Sequence, residues 1–221
     1  MFKEWMKTLS RYFKKANSVL GKNINGVAFP RWNRLVFLLS FWVLSAVVVW
    51  LIPKGFSEDF IDYIKDIFAI FVGFFVTVLC FVFDKLDTER ILSAEEEDNV
   101  YAEERGVSLK NLKIKQEHNY TVRFFYTIGL VILFSAAVIL LLIPNIFWAG
   151  WLNMDIQGYE LVKTCSEITW SNIGLFLHLS VCIIYRLIVV FLTIKVFYYT
   201  AYCVSSLLQV LINKKKLETW N

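Results

Sequence analysis

Hydrophobic residues are concentrated in four long stretches of the chain, separated by polar segments. Each stretch is close to the length, about 20 residues, that a helix needs to cross a bilayer. Lipid offers no water to backbone groups, and the stretches lack the period-two alternation of strands, so helices are predicted. The predicted spans are Leu35–Pro53, Ile67–Phe83, Phe124–Phe147 and Ile173–Tyr199, the last continuing in an apolar pattern to Ile212.

Composition supports a membrane protein, because 57% of the residues are hydrophobic and 17% are aromatic, above the values of soluble domains. Basic residues then predict the orientation, since cytoplasmic segments are enriched in Lys and Arg. They are concentrated before the first span, between the second and third, and after the fourth: Lys3, Lys7, Arg11, Lys14, Lys15, Lys22, Arg31, Arg34, then Lys110, Lys113, Lys115, Arg123, then Lys214, Lys215, Lys216.

These patterns predict an all-α, polytopic protein with four transmembrane helices in two hairpins and with both termini in the cytoplasm. The expected location is the inner (cytoplasmic) cell membrane. The predicted segments are 1–33, a basic amphipathic helix and linker; 34–84, the first hairpin; 85–122, a charged cytoplasmic stalk; 123–200, the second hairpin; and 201–221, a cytoplasmic helical tail.

The first twenty residues form a basic amphipathic pattern, with apolar residues from Phe2 to Leu20 at helical spacing. Such a helix can lie in the membrane plane with its cations near anionic headgroups. It can instead pack on the protein's own cytoplasmic face. The residues assigned to the membrane surface are Trp5, Lys7, Arg11, Lys14 and Lys15.

The loop between the second and third spans changes from acidic to basic along its length. Gly106 is a plausible helix stop between the two halves. At about 38 residues this loop is too small to be an independent enzyme domain. A cytosolic protein is expected to dock on its charged residues, Glu95, Glu96, Glu97, Asp98, Lys113 and Lys115. The acidic run is also compatible with a divalent cation, although it lacks the spacing of a calcium loop.

Arg186 lies inside the fourth predicted span, and His178 and Cys182 share its helix face. An intramembrane charge indicates a buried partner or a water path. Three interpretations are open for His178 and Arg186. The stripe lines a pore or forms a proton-sensitive contact, Arg186 extends to the inner headgroups, or Arg186 bonds to a neighbouring helix.

Small residues recur on the second span at Ala69, Gly73 and Thr77. Ridges of this kind let helix backbones approach closely, so helix packing within or between subunits is predicted. The four cysteines form no CxxC pair, and packing as small apolar residues is their expected role.

The chain contains none of the common catalytic or metal-binding signatures. No catalytic residue, cofactor or metal ion is therefore predicted, and the chain is not expected to be an enzyme.

Three features carry a resemblance to known proteins: the basic aromatic segment Phe2–Phe13, the span Ile67–Lys85 that leads into a charged stalk, and the tail Lys214–Lys216. In these the chain resembles small four-span prokaryotic membrane proteins of antiphage defence systems, nearest the membrane subunit of the Kiwa system. Membrane accessory proteins of type VI CRISPR loci are the second such group. The resemblance implies a homo-oligomer that senses envelope disturbance or perturbs the membrane and docks a soluble partner.

The functional hypothesis is a non-enzymatic, oligomeric inner-membrane sensor or scaffold of an antiphage defence system. Its expected partners are further copies of itself, the lipid bilayer and a cytosolic effector protein, with no direct contact to nucleic acid. The alternative is an oligomeric ion channel or membrane-disrupting effector. A carrier of lipids or small solutes is the third possibility.

Overall fold

A computed structural model describes residues 1–22, 27–97, 107–153, 155 and 170–218. For residues 2, 81–97, 107–118, 149–150, 170–172 and 207–218 it describes the helical backbone only. The prediction of an all-helical chain is confirmed for these residues. The helices are α1 (Phe2–Leu20), α2 (Arg31–Leu51), α3 (Glu58–Glu97), α4 (Val107–Phe147), α5 (Ala149–Leu152) and α6 (Trp170–Glu218).

Four helical stretches are long and apolar enough to cross a membrane, which agrees with the four predicted spans. They are Arg31–Leu51, Glu58–Cys80, Asn119–Phe147 and Ile173–Ser206 within the side chains described. Length and apolar composition together indicate a multi-pass membrane protein.

The helix α3 begins nine residues before the predicted second span, because its first turn has strong start signals. Ser57 Oγ accepts a hydrogen bond from the Phe60 amide at 3.2 Å, as an N-cap does. Glu58 and Asp59 lie in the first turn, where the helix dipole favours negative charge.

Two prolines have different effects on the helices. The helix α2 ends at Leu51, two residues before Pro53. The helix α4 instead continues through Pro144 to Phe147. A proline inside a helix lacks a donor and disturbs the carbonyls of the preceding turn. There the Tyr185 hydroxyl donates a hydrogen bond of 2.8 Å to the Leu141 carbonyl.

The chain divides into two compact units, each built from separate stretches of sequence. The first unit consists of residues 1–34, 73–132 and 198–221, and the second of residues 35–72 and 133–197. Each of the helices α3, α4 and α6 has one part in the first unit and one part in the second. The five segments proposed from the sequence stay a prediction.

The core of the second unit consists of side chains that recur every three or four residues along each helix. This spacing places one face of each helix inward. The buried residues are Phe41, Ser45 and Val49 on α2; Ile61, Ile64 and Phe68 on α3; Ser135, Val138, Leu142 and Asn145 on α4; and Leu179, Cys182, Arg186, Val189, Val190 and Val196 on α6.

Aromatic rings on α6 join the other segments of the second unit. Trp42 of α2 stacks on Phe191 with 4.4 Å between the ring centroids. Phe68 of α3 lies 5.8 Å from Phe197, again between centroids. Because such pairs add about 0.5–1.5 kcal/mol beyond the burial of their area, α6 is well placed to hold this unit together.

Candidate functional site

Three polar residues of α6 bind the backbone at the end of the short helix α5. His178 Nε2 lies 2.7 Å from the Trp151 carbonyl oxygen. Cys182 Sγ donates to the same oxygen at 3.4 Å, and Arg186 Nη2 donates to the Leu152 carbonyl at 3.0 Å. The last carbonyls of a helix have no helical partner. The stripe predicted on α6 therefore caps α5.

Arg186 also binds the segment that follows α2. Its Nη1 donates to the Pro53 carbonyl at 3.0 Å, and only 1% of the residue is exposed. Asp155, beyond α5, attracts the guanidinium electrostatically. Of the three interpretations of this residue, the contacts support a bond to neighbouring segments, because the side chain does not reach the surface.

Gly55 and Asn153 bring these two segments together beside Arg186. The Asn153 amide donates to the Phe56 carbonyl at 3.1 Å, and its Oδ1 accepts from the Phe56 amide at 3.2 Å. Gly55 has a φ of 90°, which favours glycine. A Cβ there would lie 2.5 Å from Asn153 Oδ1 and 2.8 Å from Arg186 Nη2, so the approach also requires a residue without a side chain.

Sequence reasoning gave no role to Gly55 or Asn153. A glycine shortly after Pro53 was a visible signal of a turn. The role of Asn153 left no local signal, because its partner Phe56 is 97 residues away. We call Gly55, Asn153, His178, Cys182 and Arg186, with the carbonyls they bind, the Arg186 cluster.

Lys195 is a second intramembrane cation, and sequence reasoning assigned it no role. Its Nζ lies 4.6 Å from the centroid of Phe191 and 5.5 Å from that of Phe134. Phe191 is one turn earlier on the same helix, so the ammonium group lies over the preceding turn of α6. Contacts of this kind contribute about 0.5–2 kcal/mol and offset part of the cost of a charge in lipid.

The second half of α1 packs on α4. The Tyr12 hydroxyl donates to the Tyr126 carbonyl at 3.0 Å, and Ala16 is fully buried. A Cβ at Gly129 would overlap the Tyr12 hydroxyl, so the missing side chain there makes room for the ring. Burial raises the pKa of Tyr12 above its ordinary value, which keeps the hydroxyl protonated as a donor. The second half of α1 therefore packs on the protein's own surface, which was one of the two alternatives for this helix.

Of the residues predicted to meet the membrane surface, the four cations lie away from the face of α1 that carries Tyr12, whereas Trp5 lies two turns before Tyr12 on the same face. Trp5 is 56% exposed, and Lys7, Arg11, Lys14 and Lys15 are exposed as well. The docked face and the basic face therefore coexist on one helix. Contact with lipid headgroups stays a prediction for these five residues.

The small-residue ridge on α3 is exposed among the described residues. Ala69, Gly73 and Thr77 are all exposed, and a Cβ on Gly73 would have no atom within 4 Å. The Thr77 hydroxyl is bonded to the Gly73 carbonyl at 3.1 Å on its own helix. Packing of this ridge, within the chain or between subunits, stays a prediction.

The predicted docking residues lie where little is described. Glu95, Glu96 and Glu97 form the end of α3, and Lys113 and Lys115 lie near the start of α4, with the helical backbone described for all five. Asp98 lies outside the described residues. Their predicted role in docking a cytosolic protein rests on their charge and on their position along the helices.

Known proteins offer no assignment for these sites. Comparison of the chain with protein-family models, with curated proteins and with solved structures found no match. A function for this membrane protein therefore has to be argued from its own residues and contacts.

Proposed function

We propose that the chain is a non-enzymatic, oligomeric sensor or scaffold of the inner membrane that recruits a cytosolic effector. The observation that carries this proposal is the length of three helices. The helices α3, α4 and α6 contain 40, 41 and 49 residues. At helical rise each is about 60 Å long or longer, whereas the hydrocarbon core of a bilayer is about 30 Å thick. Each helix therefore has a long section available outside the hydrocarbon core.

The topology that fits these helices has both termini in the cytoplasm. Four crossings as two hairpins place the end of α3, the start of α4 and the end of α6 on one side, together with α1. The basic residues of 1–34 and 214–216 favour the cytoplasm for that side. The long helices then form a charged projection on which a soluble protein docks.

The exposed ridge of α3 supports a homo-oligomer. In lipid, helices associate through close backbone contact at small residues rather than through burial of apolar area. Ala69, Gly73 and Thr77 are exposed and leave the α3 backbone open to such an approach. A second copy of this chain is the proposed occupant.

The proposal also assigns the chain to an antiphage defence system. It rests on the resemblance of the basic aromatic N-terminus, the span entering a charged stalk and the Lys214–Lys216 tail to such membrane subunits. The proposed trigger is a disturbance of the envelope, which the four spans convey to the cytoplasmic projection.

The alternative of an ion channel or membrane-disrupting effector has less support. A polar channel needs side chains that face a lumen. His178, Cys182 and Arg186 are instead within hydrogen-bond distance of backbone carbonyls, as expected for residues that fasten segments together.

Copurification tests the proposal. The tagged full-length chain, expressed with its genomic neighbours, would be purified in mild detergent and weighed by native mass spectrometry. A homo-oligomer with a stoichiometric soluble protein is expected, and the same genes should lower the plating efficiency of phage. A homo-oligomer alone would favour the channel, and a monomer alone would overturn both proposals.

Charge-neutral variants locate the docking surface. Glu95→Gln with Glu96→Gln should release the soluble partner. Glu58→Gln with Asp59→Asn removes two charges from the opposite end of the same helix and should leave the partner bound. Equal loss of the soluble partner from both double variants would reject the proposed docking surface.

A bulky residue on the ridge tests the oligomer. Gly73→Leu should reduce the mass of the particle to that of a smaller assembly. Gly174→Leu is the matched control, because Gly174 is also a helical glycine with no atom within 4 Å of its Cβ position. An unchanged mass with Gly73→Leu would exclude the ridge as an interface.

A further inference from the structure

Arg123 is a buried cation of the first unit. Only 9% of the residue is exposed. Its guanidinium lies 5.8 Å above the Tyr202 ring, and its Nε is buried without a hydrogen-bond partner. Within the part of the chain that the structure describes, the guanidinium forms no ion pair. A desolvated guanidinium is costly unless an anion comes close to it.

The position of Arg123 along α4 indicates where such an anion is found. Every residue from Phe124 to Leu133 is apolar except Tyr126, Thr127 and Gly129. Arg123 therefore lies at the edge of the apolar span, at the depth of lipid headgroups. Phosphate groups are the anions of that layer.

The basic helix α1 is fixed beside the same turn of α4. Tyr12 bonds the carbonyl of Tyr126, three residues after Arg123. This contact lies one turn inside the edge of the apolar span, so this part of α1 is held at the membrane boundary rather than in open solution. The cations Lys7, Arg11, Lys14 and Lys15 are exposed on α1.

We propose that Arg123 forms a binding site for an anionic phospholipid, with its guanidinium holding the phosphate. A guanidinium presents paired donors that match phosphate oxygens. The Lys and Arg side chains of α1 attract lipids of net negative charge to the same headgroup layer, each contributing about 1 kcal/mol near a charged surface. Trp5 suits the headgroup layer, where its ring is partly apolar and its N–H is solvated.

This site goes beyond the proposed recruitment of an effector and does not depend on it. The lipid site requires only that the chain spans a membrane. An experiment without any soluble partner can therefore test it, and its failure would leave the recruitment proposal unchanged.

Lipid titration of the purified full-length chain is the test. Phosphatidylglycerol and phosphatidylcholine with the same acyl chains would be added separately and counted by native mass spectrometry. The wild-type chain is expected to bind phosphatidylglycerol more tightly. Arg123→Gln should weaken that binding about tenfold, the effect of losing one charge-assisted hydrogen bond. Arg123→Lys should have an intermediate effect because it keeps the charge without the paired donors.

Arg31→Gln is the matched control, since Arg31 is an exposed residue of the same unit and the change in charge is identical. Its effect on phosphatidylglycerol should be less than about twofold, as for a solvent-exposed charge. If Arg123→Gln does not fold, Arg123→Lys is compared with Arg31→Lys in its place.

Three results would overturn the assignment. Equal binding of the two lipids by the wild-type chain would show that headgroup charge is not recognised. Equal weakening by the Arg123 and Arg31 variants would show a diffuse charge effect. Displacement of phosphatidylglycerol by millimolar inorganic phosphate would show a site for a free anion rather than for a lipid.

Discussion

Polar side chains in and beside the apolar helices of this protein donate hydrogen bonds to backbone carbonyls of distant segments. Arg186 binds the Pro53 and Leu152 carbonyls, Tyr185 binds that of Leu141, and Tyr12 binds that of Tyr126. Lipid offers no water to carbonyls at helix ends or near a proline. Single side chains therefore supply the donors that local structure lacks.

Replacing Arg186 with Leu is expected to destabilise the protein rather than to abolish an ion pathway. The Pro53 and Leu152 carbonyls would lose a donor, at about 1–3 kcal/mol each. Thermal unfolding in detergent and conductance in planar bilayers would be measured together. A lower melting temperature with unchanged ion flux is the expected result.

Arg31→Leu is the control, because it removes an exposed Arg with a similar change in size and charge. Its melting temperature should remain near that of the wild-type chain. An altered conductance in Arg186→Leu at unchanged stability would instead support a pore.

At the scale of elements, α1 contacts α4 through a specific hydrogen bond. Tyr12 donates to the Tyr126 carbonyl, and the absence of a side chain at Gly129 leaves space for the hydroxyl. Ala16, one turn further along, is fully buried.

Substitutions at this contact should release α1 in proportion to what they remove. Tyr12→Phe removes one hydrogen bond, worth about 1 kcal/mol, and keeps the ring. Gly129→Val inserts atoms where the Tyr12 hydroxyl lies, so it should have the larger effect. Hydrogen exchange of the amides of α1 would measure the release as faster exchange.

Gly174→Val provides the comparison, because a side chain at that glycine meets no atom within 4 Å. It should leave exchange in α1 unchanged. If Gly129→Val also leaves it unchanged, the Tyr12 contact does not hold the helix.

At the scale of the whole molecule, α3, α4 and α6 are far longer than a bilayer crossing requires, and α1 precedes the first of the four membrane-spanning helices. The proposed orientation places their long extensions in the cytoplasm. Loop residues between α2 and α3 then face the opposite side of the membrane.

Cysteine labelling tests this orientation. Lys54→Cys, in the segment between α2 and α3, should react with a membrane-impermeant maleimide in intact cells. Ser93→Cys, near the end of α3, should react only after the cells are permeabilised. The unsubstituted chain corrects for its four native cysteines.

A reversed labelling pattern would place the termini outside and contradict the proposed docking of a cytosolic effector. Labelling of both positions in intact cells would contradict four crossings with alternating loops.

The sequence by itself determined the helical class, the four spans and the polar stripe on α6. Each of these is a local property: a span is a continuous apolar run, and a helix face follows from spacing along one segment. The basic face of α1 could be read in the same way. Boundaries were less accurate, because the cap at Ser57 and the continuation through Pro144 depend on individual hydrogen bonds.

Only the tertiary structure decided what these faces contact. Arg186 binds a carbonyl 133 residues away, and Tyr12 binds one 114 residues away. The same folding leaves the ridge of Ala69, Gly73 and Thr77 exposed and draws Asn153 against Phe56. Periodicity shows that a helix has a polar or small-residue face, but contacts between distant segments arise when the helices pack together, and no local pattern encodes the partner.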